Sequence, residues 1–187
     1  MRLLTLKLNG IYSNRRPAMK PLRAIFSLVA LLWGATAAQA NVLTYNAVLN
    51  GANESPASSS TGVGTATVTI DTVALTMEIH LNFSGLSGST TAAHIHCCTA
   101  VADIGTAGAA TAVPSLLGFP LGVDAGVGDL TFDMALPSFY NPSFVTAQGG
   151  VANAGQAIFA GLSNGTSYLN IHTSRFPGGE IRGFLQQ

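Results

Sequence analysis

One stretch of the chain indicates its fold class most clearly: Leu75-Thr76-Met77-Glu78-Ile79-His80-Leu81-Asn82. Its apolar residues occupy the odd positions and its polar residues occupy the even ones. Successive side chains of a β-strand point to opposite faces, so this alternation predicts a strand with one buried and one solvated face. His80 falls on the solvated face beside Glu78, and we expect it to be exposed.

Similar alternation and strand-forming composition recur along the chain. Further strand candidates cover residues 42–49, 66–70, 129–134, 168–173 and 181–185. Turn signals such as Asn50-Gly51 and Pro177-Gly178-Gly179 separate them. Short strands joined by Gly-rich turns are typical of sandwiches and barrels. We therefore predict an all-β fold, either an antiparallel β-sandwich or a Greek-key barrel.

Two stretches differ from this pattern. Residues 99–126 are rich in Ala and Gly and contain two prolines, which indicates a long connection. Loops of this length inside a compact domain are often functional. Residues 150–163 carry apolar side chains at spacings that one short helix could use.

The first forty residues differ in composition from the rest. They contain six of the eight basic residues, an apolar stretch at 24–33 and the tripeptide Ala38-Gln39-Ala40. These are the three parts of a secretory signal, and the apolar stretch is well short of the roughly 20 residues that span a bilayer. We predict a signal segment at 1–40, cleaved after Ala40, with no stable membrane span afterwards. Met19 is an alternative start, so residues 1–18 need not belong to the protein.

The remaining residues, 41–187, form a chain of suitable length for one domain. They contain no lysine, and two arginines stand against eight carboxylates, which gives a formal charge of −6. Binding to nucleic acid depends on Lys and Arg that neutralise phosphates, and this composition excludes it as a main function. We expect the mature domain in the periplasm, at the cell surface or in the medium.

Three of the four histidines lie in two alternating segments. In His94-Ile95-His96 the strand pattern sends Ile95 to the core and both imidazoles to the other face, roughly 6–7 Å apart at Cα. His172 follows an inward Ile171 in a second strand candidate. Imidazole suits Cu, Zn, Fe and Ni, so the three side chains are a candidate transition-metal site. The alternative is a structural hydrogen-bond cluster, tied to Glu180 or Arg182.

Five segments in order resemble the chordin-domain (CHRD) family. They are Leu-Asn-Gly-Ala-Asn-Glu-Ser-Pro at 49–56, Gly-Val-Gly-Thr-Ala at 62–66, Ala-Ala-His-Ile-His at 92–96, Leu-Asn-Ile-His-Thr at 169–173 and Phe-Pro-Gly-Gly-Glu-Ile-Arg-Gly at 176–183. The resemblance covers nearly all of residues 41–187 and implies an exported β-domain without a settled biochemical activity. Where many members of the family have Gly-Pro after the second histidine, this chain has Cys97-Cys98.

The adjacent cysteines form a candidate thiol site whose state the spacing leaves open. A vicinal disulfide, two free thiols, soft metal ligands and a bridge to another molecule are all compatible with Cys97-Cys98 in an exported protein. Glu180 and Arg182 flank Ile181 on one strand face, where they are candidates to support a ligand histidine.

These observations favour a non-enzymatic binding module with copper as the first metal and zinc as the second. We expect such a module to bind a protein or surface partner. A more distant likeness, an H-x-H strand with a later histidine, is similar to the copper half of Cu/Zn superoxide dismutase and implies a copper redox enzyme as one alternative. A structural or adhesive module without metal is another. No phosphate-binding Gly loop precedes a helix pattern and no pair of carboxylates stands out, so the sequence does not favour a hydrolase.

Overall fold

The computed structural model describes residues 41–187. The predicted signal segment, residues 1–40, lies outside the described residues. Within 41–187, no helix combines the length and the apolar composition that crossing a membrane requires.

Seven strands form one sheet, and every pairing between neighbours is antiparallel. The strands are β1 Val42–Asn50, β2 Val63–Asp71, β3 Thr76–Ser84, β4 Thr90–His96, β5 Gly126–Asp133, β6 Tyr168–Thr173 and β7 Ile181–Phe184. Their spatial order is β4-β6-β7-β1-β2-β3-β5. The sheet curls around its apolar face, and the predicted all-β class is confirmed.

The alternation in the sequence sets which face of the sheet forms the core. In β3, Met77, Ile79 and Leu81 are buried, whereas the intervening side chains are exposed. His80 is exposed as predicted, and its Nδ1 lies 2.5 Å from Asp129 Oδ1 on the neighbouring β5. Burial of branched and aromatic side chains along one face of each strand supplies the main driving force for closing the curled sheet.

Two α-helices, rather than the single short helix predicted, close the open side of the core, and short 3-10 turns span Gly51–Asn53 and Pro137–Phe139. Helix α2 spans Val151–Ser163, where the sequence indicated a helix, and it buries Ile158 and Leu162. Helix α1 spans Pro142–Gln148. It has only seven residues, too few for a helical period to stand out in the sequence. Its limits follow from local chemistry, because Asn141 caps the N-terminus and Gly149 ends the helix at φ 79°.

The long connection after β4 folds back along that strand. β4 is an outer strand of the sheet, and residues 108–116 bond with its free edge through contacts such as Ala110 N to Ile95 O (2.9 Å) and Leu116 N to Ala93 O (3.0 Å). Leu116 and Phe119 enter the core. The loop thereby covers an edge that would otherwise leave its backbone groups unpaired, and it brings loop carbonyls next to the β4 histidines.

The strand β7 packs unusually closely against β1. A Cβ added at Gly183 would overlap the backbone carbonyl of Val48. Only glycine lets the two backbones approach this closely without a shift. This contact holds Arg182 and the turn before β7 in a fixed position relative to β1.

Candidate metal centre

The pairing of β4 with β6 brings the three histidines together. Ala92 stands opposite His172 and His94 stands opposite Asn170, so His94, His96 and His172 project from the same face. One nitrogen from each ring lies within 4.8 Å of the corresponding nitrogens of the other two. His94 is 7% exposed, and the other two rings are half-buried. The strand geometry inferred from the sequence is therefore found in the structure.

The outer nitrogen of each imidazole faces a backbone carbonyl. His94 Nε2 lies 2.8 Å from Pro114 O, His96 Nδ1 lies 2.8 Å from Ala107 O, and His172 Nδ1 lies 2.8 Å from Pro177 O. A carbonyl oxygen only accepts, so each of these ring nitrogens must carry the proton and donate. In a neutral imidazole the other nitrogen then has a free lone pair.

The inner nitrogens consequently face each other with lone pairs. His94 Nδ1 and His172 Nε2 are 3.2 Å apart, and neither has a proton to share when both rings are neutral. His96 Nε2 is buried and has no hydrogen-bond partner among the described residues. Three electron-pair donors thus converge on one point without a donor hydrogen between them.

Protonation does not readily place a hydrogen between the inner nitrogens. Burial, followed by the neighbouring His172 and His96, lowers the pKa of His94 to about 4. Burial likewise lowers the pKa of His96 and of His172, although their carbonyl partners act in the opposite direction. All three imidazoles are therefore neutral at neutral pH, which is the form that binds metal.

The distances suit a first-row transition metal. With metal–nitrogen bonds of about 2.0–2.1 Å, ligand nitrogens lie about 3.4 Å apart around a tetrahedral ion and at most about 4.2 Å apart. The His94–His172 separation of 3.2 Å is already close to the tetrahedral value. Bringing the widest pair, at up to 4.8 Å, into range requires a movement of less than about 1 Å. Carbonyl acceptors on the outer nitrogens are also the usual support of metal-bound histidines.

An aromatic and cationic stack supports His96 from one side. The ring of Tyr168 lies parallel to His96, with centroids 4.8 Å apart and 7° between the planes. The guanidinium of Arg182 lies over the Tyr168 ring, 4.7 Å from its centroid, and donates to Gly105 O at 3.0 Å. Arg182 contacts Tyr168, which stacks on His96, and its hydrogen bonds go to backbone carbonyls rather than to a histidine.

Glu180 is fully buried, and its hydrogen bonds go to hydroxyl and backbone groups rather than to a histidine. Its Oε1 accepts from Ser60 Oγ (2.5 Å), Ser87 N (2.5 Å) and Ser87 Oγ (2.7 Å), and its Oε2 accepts from Thr173 Oγ1 (2.5 Å). Burial raises the pKa of Glu180, but these hydrogen bonds outweigh it and hold the pKa below the ordinary value. Glu180 fixes the turn whose Pro177 carbonyl accepts the hydrogen bond from His172 Nδ1.

The two cysteines lie on the opposite side of β4 from the imidazoles. Cys97 and Cys98 are joined by a disulfide, and both sulfurs pack at Gly161 of α2, where an added Cβ would meet them at 2.6 and 2.8 Å. Cys97 is buried and Cys98 is exposed. Cys97 follows His96 and points to the helix side, and the disulfide holds the Cys98 sulfur against the same helix.

Two polar residues that the sequence did not single out complete the surroundings. The Asn170 carboxamide contacts His96 on one side and Glu54 on the other. Burial raises the pKa of Glu54 to about 7, against the opposing charge of Arg182 at 3.9 Å. Asn170 precedes His172 by two residues, so alternation alone could have placed it on the histidine face. Glu54 comes from the loop after β1, and no local pattern indicates its position.

Comparisons with known proteins agree with the resemblance. The sequence model of the CHRD domain matches residues 45–185, which include every strand except the first residues of β1. No curated protein and no solved structure matches the chain.

Proposed function

Because the chain belongs to the CHRD-domain family, whose match covers residues 45–185, we propose that it is an exported, non-enzymatic binding module that holds one transition-metal ion. The ligands are His94, His96 and His172. The mature domain acts at the cell surface, in the periplasm or in the medium, where it binds a protein or surface partner.

The observation that carries the proposal is the arrangement of protons in the cluster. In a purely structural cluster, hydrogen bonds would join the rings, each N–H facing a lone pair. Here the three outer nitrogens donate to carbonyls, so the 3.2 Å contact between His94 and His172 joins two lone pairs. Such a contact is unfavourable unless a cation lies between the nitrogens. A proton is disfavoured as that cation, because burial lowers the pKa of His94. A metal ion satisfies all three lone pairs together.

Copper is the preferred ion and zinc the second. Imidazole ligands suit both, and Cu²⁺ forms the strongest complexes among the divalent first-row metals. The formal charge of −6 over residues 41–187 favours a cation over an anionic ligand.

Reconstitution tests the metal proposal. The purified mature domain should retain about one equivalent of Cu²⁺ or Zn²⁺ after dialysis, as expected for a single three-histidine site. A triple variant with Ala at positions 94, 96 and 172 should retain none, and His80→Ala, which changes the exposed histidine, should behave as the wild type. Metal content below about a tenth of an equivalent in the wild type would reject the proposal.

Export is tested by the mass of the secreted protein. A signal with a basic segment, an apolar segment and Ala38-Gln39-Ala40 should be removed after Ala40. The intact mass of the exported product should therefore correspond to a chain that starts at Asn41. A cytoplasmic product that begins at Met1 or Met19 would contradict this part of the proposal.

A further inference from the structure

Four buried side-chain atoms among residues 41–187 lack a hydrogen-bond partner, and three of them lie around the histidine cluster. The three are His96 Nε2, Asn170 Oδ1 and Glu54 Oε1. Buried polar atoms without partners are uncommon, because each one costs about 1–3 kcal/mol. Their grouping therefore indicates that something is bound there.

Asn170 has the position of a ligand. It is 2% exposed, it stands directly opposite His94 in the β4–β6 register, and it precedes His172 by two residues on the same face. Its carboxamide lies next to His96, whose inner nitrogen and the Asn170 Oδ1 are both without a donor. This repeats the relation between His94 and His172, in which two electron-pair donors face each other.

The amide end of the same side chain is held on the other side. Asn170 Nδ2 and Glu54 Oε1 lie 2.8 and 2.6 Å from the point where a Cβ at Gly179 would stand, so they approach each other in a space that only glycine leaves free. Since Nδ2 is directed to Glu54, Oδ1 is directed to the cluster.

We propose that Asn170 Oδ1 is a fourth ligand, which makes the centre a three-nitrogen, one-oxygen site that selects a divalent ion over Cu⁺. This inference rests on the proposed metal-binding function and specifies its ion. A carboxamide oxygen is a hard donor that suits divalent ions, whereas Cu⁺ prefers soft sulfur ligands. Glu54 and Gly179 are positioning residues, because they orient the carboxamide without reaching the ion.

Divalent affinity in matched variants tests the assignment. Asn170→Ala should weaken Cu²⁺ and Zn²⁺ binding by about 10- to 100-fold, and it should leave the affinity for Cu⁺, held by the histidines alone, within about threefold of the wild type. Asn170→Asp keeps an oxygen donor and should restore the divalent affinity. Asn82→Ala, which changes an exposed asparagine of β3, is the control and should have no effect.

The wild type provides a readout that does not depend on how well a variant folds. A crystal structure of the Zn²⁺-loaded protein should place Asn170 Oδ1 about 2.0–2.2 Å from the ion. If this oxygen lies well beyond metal–oxygen bonding distance, or if the Cu²⁺ electron paramagnetic resonance spectrum is unchanged in Asn170→Ala, the assignment is overturned and the three-histidine site is left intact. A wild type that binds neither Cu²⁺ nor Zn²⁺ would overturn both proposals.

Discussion

Addition of Cu²⁺ or Zn²⁺ to the metal-free protein should raise its melting temperature by about 5–10 °C. A ligand that binds only the folded state stabilises it by about 2.7 kcal/mol when its free concentration is a hundredfold above the dissociation constant. For a domain of this size each kcal/mol corresponds to about 2–4 °C. Thermal unfolding followed by circular dichroism, at several metal concentrations, measures the shift.

The three histidines of the proposed site should behave as one unit in this experiment. Replacing His94, His96 or His172 by Ala should abolish most of the metal-induced shift, because two imidazoles leave the coordination shell incomplete. His80→Ala should keep the full shift, since His80 lies on the exposed face and pairs with Asp129. Equal shifts in the wild type and in His94→Ala would show that the metal binds elsewhere.

The same cluster predicts how stability changes with pH. The pKa of His94 is about 4 in the folded protein and about 6.5 in the unfolded chain, so between these values the unfolded state binds more protons. In the metal-free protein, the contribution of His94 to the free energy of unfolding should be complete above pH 6.5 and should be lost as the pH falls from 6.5 towards 4. His94→Ala should flatten that part of the profile. Because protons bind the folded cluster weakly, the metal-induced shift should persist below pH 6.5.

Much of the fold follows from local alternation. The alternating pattern predicted three strands whose limits the structure reproduces closely, at residues 42–49, 75–82 and 168–173. The strand predicted at 66–70 is shorter than β2, because Gly64 near the start of β2 has no side chain to continue the alternating pattern. The order of the strands and the curl of the sheet depend on pairings such as β1 with β7, which join residues far apart in the chain.

The histidine triad was predictable for the same reason, whereas the loop groups around it were not. Alternation places His94, His96 and His172 on solvent-side positions of their strands, and only the adjacency of β4 and β6 brings them into contact. The carbonyls of Ala107, Pro114 and Pro177 come from loops, where no periodicity applies. Glu54 comes from the loop after β1 and lies near Asn170 at Gly179, and the sequence offers no spacing from which that approach could be inferred.

The state of the two cysteines illustrates the same limit. Adjacency in sequence left a disulfide, free thiols and metal ligation open, since all of them depend on what surrounds Cys97 and Cys98. The structure surrounds them with α2, in which Gly161 leaves room for both sulfurs. The helix was foreseen near residues 150–163, but its packing against the end of β4 is a tertiary contact.

Replacement of Glu180 by Ala should have the largest effect on stability, a loss of about 3–5 kcal/mol in the free energy of unfolding. The carboxylate is fully buried and accepts four hydrogen bonds, from two groups of Ser87 and from the hydroxyls of Ser60 and Thr173. Removing it leaves these donors without partners and opens a cavity between three loops. Glu180→Gln should cost clearly less, because its oxygen can still accept from Ser87 N and the Thr173 hydroxyl can rotate to accept from the amide.

The pH dependence of this loss separates the charge of Glu180 from its packing. Its pKa is lower in the folded protein than the ordinary value of 4.5, so the stabilisation by the carboxylate is complete above that value and is lost as the pH falls through the folded pKa. The difference between the wild type and Glu180→Gln, measured by denaturant unfolding, should therefore shrink in acid. Glu78→Ala, at an exposed site in β3, is the control and should stay within about 0.5 kcal/mol of the wild type. A pH-independent difference for Glu180→Gln would mean that shape rather than charge is what the buried site requires.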